Sequence, residues 1–181
     1  MEEILQKKLV ITLMGQDHIG IVDHVTDIIV KYHGNIEESK MARLGGEFAM
    51  LLLIAIDPTK LEILESAISN LQDEGYKILY KETSPEKAEK FEGWVPYKIT
   101  VTGADHEGIV NNVTHQIAEQ GINIESIDTQ TSSAPMSGTQ LFTMNAIILV
   151  PPERSYHSWA DNLDEVADSL NVTIDISPYR G

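Results

Sequence analysis

The chain has 181 residues, of which 42% are apolar and 23% are charged, and its formal net charge is −15. It contains 13 basic and 28 acidic residues. Because clustered Lys and Arg are needed to neutralise phosphates, direct binding of DNA or RNA is not expected. The absence of cysteine excludes disulfides, thiolate metal sites and a cysteine nucleophile.

The longest apolar run, Phe48 to Ile56, has nine residues. That is about half of the ~20 residues that a membrane-spanning helix needs, so this run is predicted to be a buried strand. The opening segment, MEEILQKK, shows no basic stretch leading into a long apolar one and predicts no secretory signal. These features favour a cytoplasmic protein without a membrane partner.

Apolar periodicity and turn residues predict a β-α-β-β-α-β order within the first 82 residues. The apolar residues of the two helices recur at helical spacing: Val22, Val25 and Ile29, then Leu61, Leu64, Ile68 and Leu71. The predicted elements are a strand at 8–14, a helix at 19–33 ended by Gly34, strands at 35–44 and 47–56 joined by Gly45-Gly46, a helix beginning at 57–59 and stopped by Gly75, and a strand at 76–82.

The chain then repeats itself 88 positions later. Segment 15–29, GQDHIGIVDHVTDII, and segment 103–117, GADHEGIVNNVTHQI, are identical at nine of fifteen positions, and Asn35-Ile36-Glu37 recurs as Asn123-Ile124-Glu125. A repeat of this length is too long for a solenoid and indicates two small domains. We expect domain 1 at 1–82, a linker at 83–95 and domain 2 at 96–181.

The second copy repeats the order of elements, with strands at 97–102, 123–131, 139–150 and 172–177 and helices at 107–120 and 153–170. Its hairpin carries six extra residues around 132–138. The order predicts an α+β fold of two ferredoxin-like βαββαβ domains, each with an antiparallel sheet and both helices on one face.

The repeated loop Gly-x-Asp-His-x-Gly-Ile-Val is the candidate ligand site. It leads from a strand into a helix, where free backbone N–H groups and the helix dipole favour a small carboxylate. The loop glycines are interpreted as a sharp turn (Gly15, Gly103) and as room for close approach (Gly20, Gly108). The predicted ligand-binding residues are Gly15, Asp17, His18, Gly20, Ile21, Val22, Asn35 and Ile36, and their counterparts Gly103, Asp105, His106, Gly108, Ile109, Val110, Asn123 and Ile124.

The polar members of this set match the groups of a free amino acid. Each Asp offers an acceptor for the amino group, each His a donor for the carboxylate, and each Asn both. Structural alternatives stay open: Asp17 and Asp105 are well placed as N-caps, the histidines as packing residues, and the asparagines as turn residues.

Catalytic interpretations find little support. The chain has no nucleophile elbow, Walker loop, dinucleotide fingerprint or zinc-ligand spacing, so we expect a protein that is not an enzyme and needs no cofactor. Assembly of Asp17, His18, Asp105 and His106 into a metal site remains a minor alternative.

The segments GQDHIGIVDHVTDIIVKYHGNI and GADHEGIVNNVTHQIAEQGINI resemble the signature of ACT domains, which sense amino acids in metabolic regulation. The second hairpin, with APMSG followed by LFTMNA, resembles the glycine cleavage system transcriptional repressor family. The resemblance implies that the two domains pair side by side into one eight-stranded sheet with the helices on one face, and that an amino acid binds at their interface. It also implies a homo-oligomer.

The resemblance further implies a regulator that acts through a protein partner, such as a transcriptional activator, with glycine as the candidate effector. The alternative is a constitutive interaction module or a freestanding regulatory subunit of an amino-acid biosynthetic enzyme. Because Glu107 replaces Ile19 in the second copy and places an anion near the helix start, the first loop is predicted to be the better carboxylate site.

Overall fold

The computed structural model describes residues 6–84, 89–135 and 138–180. The chain divides into two compact units, Met1–Glu89 and Lys90–Gly181. Two earlier expectations fall partly outside the described residues: the linker at 83–95, which includes 85–88, and the hairpin insertion, which includes Met136 and Ser137. The domain limits at 82 and 96 stay a prediction.

The first unit is a four-stranded antiparallel sheet with two helices. Its elements are β1 (Lys7–Gln16), α1 (Ile21–Lys31), β2 (Asn35–Leu44), β3 (Glu47–Ile56), α2 (Leu61–Ser69) and β4 (Lys77–Thr83), with short 3-10 turns at Pro58–Lys60 and Asn70–Glu74. The strand order is β2-β3-β1-β4, and every neighbouring pair is antiparallel. The predicted βαββαβ fold is therefore confirmed for this unit.

One face of this sheet and the apolar stripes of both helices form the core. Alternate residues of the central strands are fully buried, and helix residues spaced by three or four pack against them: Leu9, Ile11, Leu13, Leu52, Ile54, Val25, Ile29, Leu64 and Ile68. This alternation leaves the opposite sheet face uncovered by helices. The start of the second helical segment follows its predicted signal, because the Asp57 side chain accepts from the Thr59 N–H at 2.8 Å.

The second unit has the same topology. It consists of β5 (Val95–Ala104), α3 (Ile109–Glu119), β6 (Asn123–Ser133), β7 (Gln140–Val150), α4 (His157–Leu170) and β8 (Val172–Pro178), in the order β6-β7-β5-β8. Ile99, Val101, Met144, Ile148 and Trp159 are buried at its centre. The two four-stranded sheets confirm the predicted fold class, whereas their pairing into one eight-stranded sheet stays a prediction.

Three helices begin later than predicted. Helices α1 and α3 begin two residues late because Gly20 and Gly108, with φ of 95° and 94°, occupy the N-cap. Helix α4 begins at His157 rather than 153, because a turn from the Arg154 N–H to the Pro151 carbonyl comes first.

The end of α1 also needs a correction. The left-handed residue is His33, with φ of 61°, and not Gly34 as the sequence suggested. Gly34 is instead required by close packing, because a Cβ there would lie 2.8 Å from Cγ2 of Ile29. In the second unit, Gly121 takes the position equivalent to His33 and has φ of 67°.

Candidate functional site

The repeated loop is fixed to the hairpin end of each sheet. In the first unit the Asp17 N–H donates to the Gly46 carbonyl at 3.0 Å, and in the second the Asp105 N–H donates to the Gln140 carbonyl at 2.8 Å. Each loop therefore extends its central strand by one more hydrogen bond before the chain turns into the helix. The segment that remains between this bond and the helix is short and held at both ends.

The aspartates do not cap the helices, so that interpretation was wrong. Glycine occupies both N-caps, and neither helix start has a side-chain cap bond. In the first unit, Arg43 Nε instead pairs with the Asp17 carboxylate at 2.5 Å. Thr131 takes the place of Arg43 in the second unit, since each precedes its hairpin and pairs with Phe48 or Phe142. Within the described residues, Asp105 has no ion pair.

The roles of the loop glycines are the reverse of those inferred from the sequence. Gly15 lies in β1 and is required for packing, because a Cβ there would lie 2.5 Å from the Tyr76 ring; the same holds for Gly103 against Val172 at 2.8 Å. Gly20 supplies the turn. Its φ is 95°, and a Cβ would meet nothing within 4 Å, so only backbone conformation requires glycine there.

His18 is bonded within its own unit through both ring nitrogens. Its Nδ1 lies 3.0 Å from the Ile19 carbonyl, and its Nε2 contacts the Tyr76 hydroxyl. A carbonyl oxygen only accepts, so Nδ1 carries a proton, and in the neutral ring the Tyr76 hydroxyl donates to Nε2. Burial, and then Glu74, raise the pKa of Tyr76 above its ordinary value, which keeps that hydroxyl a donor.

His106 faces two acceptors instead. Its Nδ1 lies 3.0 Å from the Glu107 carbonyl and its Nε2 lies 2.9 Å from the Leu170 carbonyl. Only the imidazolium donates from both nitrogens, so these bonds, Glu107 first, raise the pKa of His106, and Asp105 adds to the effect. The difference arises because Val172 stands where the first unit has Tyr76.

The first turn of each helix leaves backbone N–H groups unused. The first intrahelical bonds run from the His24 N–H to the Gly20 carbonyl and from the Asn112 N–H to the Gly108 carbonyl, both at 2.9 Å. Among the described residues, Ile21 to Asp23 find no backbone acceptor. The Ile21 and Ile109 side chains are buried and anchor the helix starts, whereas Val22 and Val110 are exposed.

The asparagines lie at the other end of each sheet. Asn35 pairs with Ala55, which in turn pairs with Lys8, whereas Gln16, beside the loop, pairs with Glu47. Eight residues along β1 separate these levels, or roughly 26 Å at about 3.3 Å per residue. Asn123 is placed in the same way in the second unit, opposite Leu149. Neither unit brings its own asparagine and the following isoleucine (Ile36, Ile124) to its own loop.

Two partners of the loop, Tyr76 and Arg43, were not foreseen from the sequence. Both come from other strands or turns of the unit and reach the loop through sheet register. None of the helices that the structure describes is long and apolar enough to cross a membrane. In the same residues, no three His, Asp or Glu side chains converge in a way that could hold a metal ion.

Comparison with known proteins agrees with this architecture. A model of the ACT domain matches residues 7–78. The chain is 36% identical over 78 residues to the UPF0237 protein of Streptococcus mutans, covering 43% of this chain and 82% of that protein. It is also 36% identical over 63 residues to the glycine cleavage system transcriptional repressor of Escherichia coli K12, covering 35% of this chain. That alignment spans only 33% of the repressor.

Two solved structures match nearly the whole chain. One is a protein of unknown function from Galdieria sulphuraria, with a TM-score of 0.78 and 30% identity, covering 97% of this chain and 99% of that one. The other is provisionally named a glycine cleavage system transcriptional repressor, with a TM-score of 0.70 and 23% identity over 98% and 99% of the two chains, a likeness of fold alone. The ACT-domain model over residues 7–78 and the 36% identical relative from Streptococcus mutans, of which 82% is covered, show that the chain belongs to the ACT-domain family.

Proposed function

We propose that this protein is an amino-acid-responsive regulator, similar to the glycine cleavage system repressor, with glycine as its candidate effector. It acts through contact with a protein partner rather than through catalysis or direct nucleic-acid binding. The observation that carries the proposal is the first turn of α1, where the amides of Ile21 to Asp23 have no backbone acceptor and follow a left-handed glycine. The E. coli relative supports the regulatory role.

A ligand carboxylate accepts hydrogen bonds from these amides, where the helix dipole adds a favourable charge. Recognition of the ammonium group falls to Asp17. Its carboxylate already pairs with Arg43, but four lone-pair sites on a carboxylate leave room for a second donor. His18 takes part by positioning the loop, because both of its ring nitrogens are occupied.

Asn35 and Ile36 do not reach this ligand from within their own unit. We therefore place them in a site completed by oligomerisation, with a second copy of the chain supplying the asparagine. A combined site of this kind makes ligand binding and assembly depend on each other, which is how occupancy would be passed to a partner.

The first loop is the stronger site in this proposal. Asp17 is neutralised by Arg43, whereas the second loop carries both Asp105 and Glu107 without an ion pair among the described residues. Even when it is protonated, His106 offsets only one of these two charges. A ligand carboxylate is therefore opposed more strongly at the second loop.

Isothermal titration calorimetry with the twenty amino acids tests the proposal. We expect saturable binding of a small amino acid to the wild type. Gly20→Ala, which strains the left-handed backbone by about 1–2 kcal/mol, should weaken binding about tenfold, and the matched control Gly108→Ala should change it little. The absence of binding at millimolar concentration would contradict sensing, while equal losses in both variants would remove only the preference for the first loop.

A constitutive interaction module is the second candidate. It is favoured because the polar groups of the loop are already paired: the His18 ring has a hydrogen-bond partner and the Asp17 carboxylate an ion-pair partner within the unit. This candidate predicts that the protein co-purifies with a larger biosynthetic enzyme and that added amino acids leave the affinity for that enzyme unchanged.

A further inference from the structure

The face of the first sheet that lies away from α1 and α2 is open and apolar. Met14, Leu51 and Leu79 are 42%, 45% and 74% exposed, and all three side chains point to this face. Leu51 and Leu79 flank Thr12 from the two neighbouring strands. Val10 and Leu53, half-buried, continue the patch. Contiguous exposed apolar residues of this kind mark an interaction surface.

The second sheet provides a matched comparison inside the same chain. Thr100 is the counterpart of Thr12, and it is flanked by Asn145 and Asp175 rather than by two leucines. Thr100 donates to the Asn145 side chain at 3.2 Å. Thr102 stands where the first sheet has Met14. In these rows the fold does not itself require apolar residues, so Leu51, Leu79 and Met14 of the first sheet need another explanation.

The charges on the first sheet indicate what covers it. One row across the four strands reads Glu38, Leu53, Val10 and Lys81, with an acidic residue at one edge and a basic one at the other. The two charged residues are separated by three strand spacings, roughly 14 Å, so they do not pair within one copy. Among the described residues, neither has an ion-pair partner.

This row is complementary to itself. A two-fold axis parallel to the strands, passing between β3 and β1, places β4 of one copy over β2 of the other and β1 over β3. Glu38 then faces Lys81 of the second copy, and Leu53 faces Val10. In the next row on this face Leu51 faces Thr12, and Leu79 faces Lys40, whose aliphatic stem can cover it. In the row beyond, Met14 faces Ala49, a large residue against a small one. The same operation on the second sheet would oppose Asp128 and Asp175, two like charges.

We infer that the open face of the first sheet is a homodimer interface, in which two copies of this chain stack face to face about this axis. Aligned packing of two twisted sheets about 10 Å apart is a common arrangement. The inference goes beyond the proposed function and does not depend on any bound amino acid. An axis parallel to the strands keeps the Asn35 ends of the two sheets together, so this interface is separate from the one that brings Asn35 to the loop of a second copy.

The size of the face sets the expected strength. Four strands at about 4.8 Å and seven residues at about 3.3 Å give a patch of roughly 440 Å² per copy, or about 900 Å² in total. That is below the roughly 1,200 Å² at which stable specific interfaces begin, so we expect a weak, reversible dimer with a dissociation constant no tighter than the micromolar range.

Exchange of the two charges tests the inference by sedimentation equilibrium on the full chain. Glu38→Lys and Lys81→Glu alone each place like charges in opposition, at both ends of the row, and should weaken the dimer about tenfold or more. Mixed in equal amounts, the two variants should associate with wild-type strength, because every opposed pair is then of opposite sign. Both residues are exposed, so circular dichroism should show an unchanged fold.

Two controls make the test specific. Asp128→Lys, on the corresponding edge strand of the second unit, should leave the dimer unchanged, and Leu51→Asn with Leu79→Asp, which copies the second sheet onto the first, should abolish it. A wild type that stays monomeric to about 500 µM, well above the micromolar range expected for such a face, would overturn the inference. So would a mixture of the charge variants that remains as weakly associated as each variant alone.

Discussion

Contacts between single residues decide how the loop is held, and the glycines show this most clearly. Gly15 was expected to turn the chain, but its backbone is extended, and the turn belongs to Gly20. The sequence shows where the glycines are but not which side chains pack against them in the folded protein. Tyr76 reaches Gly15 and His18 only because β4 pairs with β1 in this register, and a contact across 58 residues leaves no local pattern.

A double-mutant cycle tests the packing of Tyr76 on Gly15. Gly15→Ala puts a methyl group 2.5 Å from Cδ1 of the ring, and overpacking of this kind costs about 1–3 kcal/mol. In a Tyr76→Ala background, the same substitution should cost little. Urea unfolding of the four proteins measures the coupling; an equal cost in both backgrounds would show that the ring does not restrict position 15.

The bounds of secondary-structure elements were predicted accurately where the local sequence signals were strong. The strands β2 and β3 have the bounds expected from the Gly45-Gly46 turn, and Asp57 marks the start of the second helical segment. The aspartates of the loop misled because Asp17 has the right residue type for a cap, whereas a left-handed glycine three positions later defines the helix start. Distance along the strands cannot be judged from motifs alone. The sheet register places Asn35 at the opposite end of its unit from the loop, and its part in ligand binding stays a prediction.

The link between the second loop and the end of α4 should depend on pH. His106 donates to the Leu170 carbonyl, and its folded pKa is raised above the unfolded value of about 6.5. The stabilisation is therefore complete below the unfolded pKa and is lost as the pH rises through the folded one. We expect wild type to exceed His106→Gln in Tm at pH 5.5 and to approach it at pH 8. A Tm difference that is constant across this range would contradict the bonding described.

Over the whole molecule, the repeat identified the fold correctly because two copies of one pattern restrict each other's interpretation. The strong negative charge argued against direct binding of DNA or RNA, and the lack of cysteine excluded disulfides, thiolate metal sites and a cysteine nucleophile. The repeat did not reveal how the two copies differ. Arg43 and Tyr76 of the first unit are replaced by Thr131 and Val172 in the second, so the two loops share a motif but differ in charge and hydrogen bonding. A sensor with one preferred site is the consequence we propose.

The most direct measurement of that claim is a titration of ¹⁵N-labelled protein with glycine, followed by two-dimensional NMR. Our account predicts saturable shifts concentrated at the amides of Val22 and Asp23, with much smaller changes at Val110 and Asn111. The account would be contradicted if neither glycine nor any of the other nineteen amino acids shifted these signals at millimolar concentration. It would also be contradicted if the shifts occurred only at residues away from both helix starts.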